Sequence, residues 1–385
     1  MAHCNTIFHQ MLKLIPRHHF DKLEAEHGTG RKARSFTRWS QLVHLLSMQL
    51  TARASLRDGI ASLTARLKSL YHLGVKPVAR STFADANHRR PASFFAAIFA
   101  HMYQRCLAHA PRHKFKFKNK LYSLDATVVS LCLSLFPWAS FRRTKAGVKL
   151  HTLLNHDGYL PAFVAITPAR EHEIKKARTL NLPKGSIVVE DLGYTDYAWY
   201  GQLTAQKIFF VNRQKSNVRY RVLERRPVNN NLGLVSDETI LLTGAKAREC
   251  PKPLRRIVYQ DSETSKVYVF LTNHFRLAAK TIADIYKERW QIEIFFRWIK
   301  QNLKIKAFIG NSENAVMSQI YAALIVYLLL CYTKFLCNLS VTLQNFMRIL
   351  QLNLFRTCSL QELFEPPGPA PDNMNVKNQL CLALA

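Results

Sequence analysis

The pattern of hydrophobic and polar positions divides the chain into a helical first third and a strand-rich middle. Before residue 115, apolar residues recur at spacings of three and four, as in residues 42–50 and 94–99, which is typical of helices that bury one face. Residues 56–71 predict one helix that Gly74 ends. We expect Ser81 to cap a second helix running to Arg90, so that the pair forms a helix-turn-helix.

From residue 114 the pattern changes to strands, with β-branched and aromatic residues in short apolar runs. The predicted strands are residues 120–132, 148–155, 160–167, 187–190 and 207–211. Helices are predicted before the last two strands, at residues 171–180 and from Thr195 or Asp196 onward. Three strands followed by helix–strand units predict a mixed α/β sheet with parallel crossovers.

The second half of the chain combines a strand-like insertion with long helices. Residues 278–302 predict one long amphipathic helix, and residues 320–339 an apolar helix. The most apolar segment, residues 320–332, is shorter than the ~20 residues that span a bilayer, so we expect a buried helix packed on the sheet. The predicted organisation is helical domain 1–115, α/β core 116–213, β-rich insertion 214–275, helical second part of the core 276–355 and tail 356–385.

The net charge of the chain indicates what kind of molecule it binds. The sequence has 55 Lys and Arg against 25 Asp and Glu, a formal net charge of +30 and a pI near 10.1. This balance argues against most ordinary metabolic enzymes and favours a polyanion. The excess is spread through the first 120 residues and the middle rather than along one amphipathic stripe, so we expect nucleic acid and no membrane.

The predicted second helix of the helix-turn-helix carries residue types that bind phosphates and base edges. They are Arg80, Ser81, Asn87, Arg89 and Arg90. A helical hairpin with a solvated basic face would have the same composition, so the charge of the whole region is what favours DNA contact.

Cysteine usage and the N-terminus indicate the compartment. The eight cysteines form no Cys-x-x-Cys pair, which argues against a zinc ribbon or a disulfide framework. The first twenty residues lack a long apolar core and a small-residue cleavage site. We therefore expect a cytoplasmic protein with free thiols.

Two aspartates stand out because each follows or interrupts an apolar strand. Asp125 lies within LYSLDATVV, and Asp191 directly follows the run IVVE. Buried carboxylates at the ends of adjacent strands need a cation between them. Oxygen-only ligands favour Mg²⁺ or Mn²⁺. Glu190 and Asp196 compete as the second acid, but Asp196 suits a helix cap and Glu190 should point to the opposite face of its strand.

A third acid lies in the predicted helix 278–302. Tyr286, Glu293 and Lys300 are seven residues apart, and Arg289 precedes Glu293 by four. All four would share one face of a helix. A carboxylate flanked by two cations suits a metal ligand beside a phosphate clamp. A solvated helix with ion pairs is the alternative, and the two strand-borne aspartates favour the functional interpretation.

Further basic and aromatic residues have two interpretations each. Four cations after the first strand would line a DNA channel or form a solvated basic loop. They are Arg142, Arg143, Lys145 and Lys149. Trp290 and Trp298, eight apart in the predicted helix, are expected to pack in the core rather than stack on bases.

The spacing Tyr-x2-Arg-x3-Glu-x6-Lys resembles a known signature. Tyr286, Arg289, Glu293 and Lys300 fill it completely. It resembles the signature of bacterial insertion-sequence transposases of the DDE type, in the insertion-sequence-four family.

Other segments carry the same resemblance over about residues 5–345. LDATVV around Asp125 and EDLGY around Asp191 are similar to the first and second acids of the family, and residues 136–151 to the segment after the first acid. QMLKLIPRHHFDKL and RSTFADANHRR resemble an extra N-terminal domain of one branch. Leu192 stands where family members often carry Arg, so one phosphate contact is expected to be absent.

The resemblance implies a fold and a chemistry. The fold would be an RNase-H-like mixed sheet flanked by helices, interrupted by a mostly β insertion and preceded by an all-helical N-terminal domain. Asp125 would bridge two Mg²⁺ ions, with Mn²⁺ as a substitute, and Asp191 and Glu293 would each complete one site. Tyr286, Arg289 and Lys300 would contact DNA.

The resemblance also implies a biological reaction. A homodimer would hold two terminal inverted repeats of double-stranded DNA and move the element into target DNA by cut and paste, often through a hairpin at the element's end. A flipped base would stack on an aromatic residue of the insertion. Tyr268 lies at a similar place, although an aromatic residue in a strand usually belongs to the core. The alternatives are a non-catalytic DNA-binding regulator derived from a transposase, and a nuclease that cuts without joining.

Overall fold

The structure, a computed structural model, describes residues 5–27, 33 and 35–364. Its first third is helical, as the hydrophobic pattern predicts. The helices there are α1 (Ile7–Leu12), α2 (Arg17–His27), α3 (Arg38–Leu50), α4 (Leu56–Thr64), α5 (Leu67–Leu73), α6 (Arg80–Arg89) and α7 (Ser93–Leu107). Every residue of α3 is buried, so the other helices pack around it.

The predicted helix-turn-helix differs in detail from the structure. Residues 56–71 form two helices, because the backbone of Arg66, with φ −122° and ψ 47°, leaves the helical region. Gly74 ends α5 with φ 70°, a left-handed conformation that glycine adopts without steric cost. The prediction that Ser81 caps the next helix is wrong, because α6 already begins at Arg80 and has no side-chain cap.

One mixed sheet runs through the rest of the molecule. Its strands are β1 (Leu121–Leu131), β2 (Ser140–Arg142), β3 (Lys145–Asn155), β4 (Leu160–Pro168), β5 (Ile187–Glu190), β6 (Phe209–Arg213), β7 (Tyr220–Arg226), β8 (Leu234–Leu242), β9 (Leu254–Gln260) and β10 (Val267–Thr272). β3 is antiparallel to both β1 and β4, while β5 is parallel to both β1 and β6. The predicted mixed α/β sheet is therefore confirmed.

Helices α8 (Glu173–Ala177) and α9 (Tyr197–Ala205) precede β5 and β6. They supply the two crossovers of the parallel strands, and α8 is shorter than predicted. Asp196 caps α9 by accepting a hydrogen bond from the Trp199 N–H at 2.8 Å.

The four strands β7 to β10 lie within the predicted insertion and extend the sheet. β10 is antiparallel to β6, with Phe270 opposite Arg213, and β9, β8 and β7 follow in order. Backbone hydrogen bonds thus join this region to β6, which is the neighbour of β5 in the sheet.

The predicted single helix over residues 278–302 is wrong. The structure has α10 (Ala279–Glu288) and α11 (Gln291–Asn302), joined at Arg289 and Trp290 by short-range bonds such as Arg289 N–H to the Tyr286 carbonyl. The two helices bury their apolar faces in different places. Ile282 and Ile285 of α10 pack on the central strands, whereas the apolar face of α11 packs with α12 (Glu313–Leu336). A bend lets both faces be buried.

Helix α12 is long and apolar enough to cross a membrane by length and composition alone, but 89% of its most apolar 18-residue window is buried in the protein. It packs mainly on α7 and α3. The prediction of a buried helix is confirmed. The expectation that the apolar segment is too short to span a bilayer is wrong, because α12 has 24 residues. The expectation that it packs mainly on the sheet is also wrong.

The chain after α13 (Leu343–Asn353) returns to the N-terminus. Thr357 forms a bridge with Thr6, and the Cys358 carbonyl accepts a hydrogen bond from Gln10 at 2.6 Å. Phe364 packs edge-on against Phe346 at 5.0 Å between ring centroids. Residues 356–364 are thus packed rather than tail-like, and the rest of the predicted tail, 365–385, lies outside the described residues.

Candidate active site

Two aspartates lie where the parallel pairing of β1 and β5 ends, Asp125 in the middle of β1 and Asp191 directly after β5. The register of β1 and β5 places Leu124 opposite Glu190. Asp125 and Asp191 are the next residues on the two strands. Because paired strands lie about 4.8 Å apart, the backbone positions of the two acids are adjacent.

A single guanidinium joins the third acid to the first. Arg289 Nη2 donates a hydrogen bond to Glu293 Oε1 at 2.7 Å, and Arg289 Nη1 lies 3.6 Å from Asp125 Oδ2. Arg289, between α10 and α11, thus lies beside Asp125 in the middle of β1. The carboxylates of Asp125 and Glu293, which are 168 residues apart in the sequence, therefore face one point.

Burial controls the protonation of the first acid. Burial raises the pKa of the Asp125 carboxyl to about 7; the N–H of Ala126, 2.7 Å from Oδ1, opposes this shift, and the charge of Asp191 adds to it. The guanidinium of Arg289 opposes it as well. Burial outweighs both opposing contributions, so the pKa of Asp125 stays above that of an exposed aspartate.

The two competing acids beside Asp191 hold helix α9 in place. Glu190 is fully buried, its Oε1 accepts the indole N–H of Trp199 at 2.6 Å, and burial raises the pKa of its carboxyl to about 8. Asp196, the N-cap of α9, also pairs with Arg178 at 2.6 Å. Both carboxylates are occupied by structural contacts.

The donor set at this site consists of carboxylate oxygens, which suit a hard divalent cation. Within residues 5–27, 33 and 35–364, no three His, Cys, Asp or Glu side chains converge closely enough to hold a metal ion. Arg289 lies between Asp125 and Glu293 instead. The donors suit a metal by their chemistry, and strand placement brings two of them together.

The remaining signature residues flank the acids on two different helices. Tyr286, on α10, packs against Phe270 at 4.9 Å between ring centroids. Lys300, on α11, donates to the hydroxyl of Thr127 and, at 3.1 Å, to the carbonyl of Val128. Lys300 therefore attaches α11 to β1 just beyond Asp125.

A family model described as the transposase DDE domain matches residues 116–329 of this chain, which is more than half of its length. The chain belongs to the DDE transposase family. The transposase is therefore a DNA-acting enzyme that cleaves and transfers strands and depends on divalent metal, and its core is RNase-H-like.

Curated relatives agree with this assignment. A transposase from Sinorhizobium fredii is 32% identical over 294 residues, covering 75% of this chain and 81% of its own. A transposase of an insertion-sequence element from Geobacillus stearothermophilus is 30% identical over 353 residues, covering 89% of this chain and 90% of its own. A Synechocystis relative of the same kind is 26% identical over 282 residues, covering 70% of this chain and 76% of its own.

Two further comparisons concern the N-terminal region and the fold. A model described as a domain of unknown function, DUF4372, matches residues 3–76, where the sequence resembles an extra N-terminal domain. A solved piggyBac transposase synaptic complex with hairpin DNA aligns with 91% of this chain and 78% of its own at TM-score 0.45 and 10% identity, too weak a likeness to support an argument.

The basic residues after β1 divide into exposed and buried ones. Arg142, Arg143 and Lys145 are exposed on the β2–β3 hairpin of the transposase. Lys149 is only 13% exposed and pairs with Glu173 at 3.3 Å. The hairpin is free to meet a polyanion, whereas Lys149 is held inside the protein.

Helix α6 exposes fewer of its polar residues than the sequence suggests. Asn87 is buried and accepts a hydrogen bond from Gln41 at 2.8 Å. Arg90 donates to Gln41 at 3.1 Å and to the Phe36 carbonyl, so it holds the helices of the N-terminal region together. Arg80 and Ser81 are exposed, and so is Arg89, which pairs with Asp85 at 2.7 Å.

An open cavity of about 370 Å³ lies beside Arg289, between the insertion strands and α10. We call it the aromatic pocket. It is lined by Arg213, Tyr259, Asp261, Glu263, Thr264, Tyr268, Phe270, Ala283, Asp284, Tyr286, Lys287, Arg289 and Trp290. Arg213 lies 5.3 Å from the ring centroid of Tyr268.

The sequence does not indicate that two aromatic residues, Trp290 and Tyr259, line this pocket. Trp290 is 50% exposed, so the prediction that it packs in the core is wrong, because it lies in the bend between α10 and α11. Trp298 is half-buried and packs on Tyr327 at 5.2 Å, as expected. Tyr259 also lines the pocket, and nothing in its sequence context distinguishes it from a core residue.

Proposed function

We propose that this transposase belongs to the insertion-sequence-four family, binds the terminal inverted repeats of its element and moves it by cut and paste. The catalytic residues are Asp125, Asp191 and Glu293. The observation that carries the proposal is that one guanidinium contacts both Asp125 and Glu293 while strand register places Asp191 beside Asp125.

These three carboxylates would hold the divalent metal of the proposed active enzyme, two Mg²⁺ ions. When bound, the ions activate water or a DNA 3′-OH for attack and stabilise the leaving oxygen. The protein's own part is to fix the acids on rigid elements. Lys300 supports this by tying α11 to β1 at Val128, 3.1 Å from its Nζ.

Contacts to the DNA backbone come from cations around the acids. Arg289 and Tyr286 border both the acids and the aromatic pocket, and Arg142, Arg143 and Lys145 extend the basic surface along the hairpin. Arg80 and Arg89 add contacts on α6. Lys149 and Arg90 contribute indirectly, since both are occupied by partners within the protein.

The aromatic pocket suits an unpaired base at the element's end. Tyr268 and the exposed Trp290 offer rings for stacking, and Arg213 adds positive charge beside Tyr268. Stacking of a base on an aromatic side chain is worth about 1–3 kcal/mol. A homodimer that holds both element ends in the bacterial cytoplasm, on nucleoid DNA, completes the proposal.

The test is cleavage of a supercoiled donor plasmid with Mg²⁺ by purified variants. We expect Asp125→Asn, Asp191→Asn and Glu293→Gln each to lower cleavage by roughly 10³-fold or more, because each removes charge stabilisation from phosphoryl transfer. DNA retention on a filter should change little. Glu249→Gln, on an exposed turn, is the matched control and should cleave normally.

Two results would contradict the proposal. If all three variants cut as well as the parent, the acids are assigned wrongly. If chelation with EDTA leaves cleavage unchanged, the metal dependence fails. Recovery of DNA joined to target distinguishes a transposase from a nuclease that only cuts.

A further inference from the structure

The side chain of Arg289 is enclosed among acids. It is 13% exposed, while the side chains of Asp125 and Glu293 are 18% and 29% exposed. Its two Nη atoms each approach a different carboxylate, at 3.6 Å and 2.7 Å. The guanidinium therefore bridges the first and third acids of the proposed catalytic set.

Charge explains why a cation belongs there. Asp125, Asp191, Glu173 and Glu293 lie around this end of the sheet, and like charges held close together are unfavourable unless a cation separates them. Lys149 already pairs with Glu173 at 3.3 Å. Arg289 is the cation that contacts Asp125 and Glu293, so it uses carboxylate oxygens that a metal ion would need.

One donor of Arg289 has no acceptor. Its Nε is buried and lacks a hydrogen-bond partner among the described residues. A guanidinium forms its strongest contacts in a bidentate pair with carboxylate or phosphate, and here the two carboxylate oxygens that it contacts belong to two different side chains. In its present position the guanidinium of Arg289 therefore has a hydrogen-bond donor that could still bind an acceptor.

The other side of Arg289 faces the aromatic pocket. Arg289 lines that pocket, and its Cζ lies 5.8 Å from the ring centroid of Tyr286. A rotation of the side chain away from the carboxylates would carry the guanidinium toward this pocket. The pocket is open and is lined by Arg213 and Lys287 as well as by Asp261, Glu263 and Asp284. Lys287 pairs with Glu263 at 3.3 Å, so Arg213 is the cation that would join Arg289 in meeting a phosphate there.

We propose that Arg289 exchanges partners during assembly: divalent metal displaces its guanidinium from Asp125 and Glu293, and the freed guanidinium binds a DNA phosphate. This inference rests on the proposed metal site. Metal binding then strengthens DNA binding, and DNA strengthens metal binding by the same factor, as linkage requires. Without metal and DNA, Arg289 keeps the acids together and shields them.

The test measures two affinities in wild type, Arg289→Gln and Arg289→Lys. Mn²⁺ binding without DNA is followed by electron paramagnetic resonance. We expect Arg289→Gln to bind Mn²⁺ about tenfold more tightly, because its competing cation is gone. Arg289→Lys keeps the positive charge but not the planar guanidinium, so its Mn²⁺ affinity should lie between those of wild type and Arg289→Gln. Because the lysine still neutralises the carboxylates, this variant also controls for misfolding caused by unpaired acids.

The second measurement is fluorescence anisotropy of a labelled DNA duplex of mixed sequence at low salt, with and without Ca²⁺. Wild type should gain DNA affinity on adding Ca²⁺, and Arg289→Gln should lose most of that gain. Arg297→Gln is the matched control, because it removes an exposed Arg one turn beyond Glu293 on α11. Its Mn²⁺ affinity should equal that of wild type.

The outcomes separate the two proposals. If wild type binds no Mn²⁺, the proposed metal site fails and the exchange fails with it. If wild type binds Mn²⁺ but Arg289→Gln and Arg289→Lys match it in both measurements, the metal site stands and the exchange is wrong. An equal rise in Mn²⁺ affinity in Arg297→Gln would also overturn it, since general charge would then suffice.

Discussion

Burial governs protonation at several single residues of this transposase, and His156 is an example away from the acids. It is 1% exposed, and its Nε2 lies 2.7 Å from the hydroxyl of Ser123. Burial lowers the pKa of His156 to about 4, the charge of Glu288 opposes the shift, and His113 adds to it. Folding therefore keeps this imidazole neutral at a pH where the unfolded chain would protonate it.

His156 should make stability fall with acid. Between about pH 6.5 and pH 4 the unfolded state binds a proton there and the folded state does not, so the free energy of unfolding falls as the pH is lowered through this range. The loss is about 1.4 kcal/mol per pH unit. Urea unfolding of wild type and His156→Gln at about pH 7.5 and about pH 5.5 measures it. An identical pH dependence in the two proteins would contradict the prediction.

Single residues also show what the sequence can and cannot reveal. Asp125 was identifiable because a carboxylate in an apolar strand is unusual, and the structure places it within reach of the same guanidinium as Glu293. The exposure of Trp290 and the internal hydrogen bonds of Arg90 were not predictable. Both depend on tertiary placement, which residue type and local spacing do not determine.

At the scale of elements, the sequence pattern predicts one helix over residues 278–302 where the structure has α10 and α11. Residues 278–302 contain neither Pro nor Gly that would mark a break. Apolar periodicity continues through the bend, since both helices are amphipathic. The break is required only because α10 and α11 bury their faces in separate clusters. The division at residues 115, 213, 275 and 355 stays a prediction.

The close contact between α9 and the turn at residues 247–249 gives a test at this scale. A Cβ on Gly201 would lie 2.2 Å from the carbonyl oxygen of Glu249. Gly201→Ala should therefore lower stability by about 1–3 kcal/mol through overpacking, although alanine favours a helix by about 1 kcal/mol. Thermal unfolding measures the change.

Gly59→Ala on α4 is the control for that substitution. The three atoms nearest to its Cβ would belong to the side chain of Met48, at 2.6–2.9 Å, which can adjust more easily than a backbone carbonyl. We expect a smaller loss than at Gly201. If Gly201→Ala were at least as stable as wild type, the turn at residues 247–249 would move at little cost in free energy. That result would contradict the prediction.

At the scale of the whole molecule, one hydrophobic core joins the N-terminal helices to the catalytic half. Residues from α1, α3, α7, β3, α11 and α12 belong to the same buried cluster. Polar contacts reinforce the connection, since Gln49 accepts from the Lys304 N–H at 2.7 Å and donates to its carbonyl at 3.2 Å. The sequence predicted the helical region but not that it shares its core, because periodicity does not identify which helices pack together.

Removal of residues 1–76 should therefore disrupt the remaining protein. Loss of α3 would expose the face of α12 that it covers, and each large apolar side chain left exposed costs about 1.5–3 kcal/mol. We expect the truncated chain to bind a hydrophobic dye and to lose its cooperative thermal transition. Co-expression with residues 1–76 should restore that transition, and a truncated chain that unfolds like wild type would contradict the shared core.

The pairing of the two ends of the described chain has a consequence for synthesis on the ribosome. The backbone N–H groups of Ile7 and Phe8 donate to the carbonyls of Arg356 and Leu354, at 3.0 and 2.8 Å. α1 is synthesised long before these partners and meets them only after residue 356 has been translated, which departs from the usual N-terminal-first order of folding. A product that terminates before residue 354 lacks both carbonyls, so its α1 cannot form these hydrogen bonds.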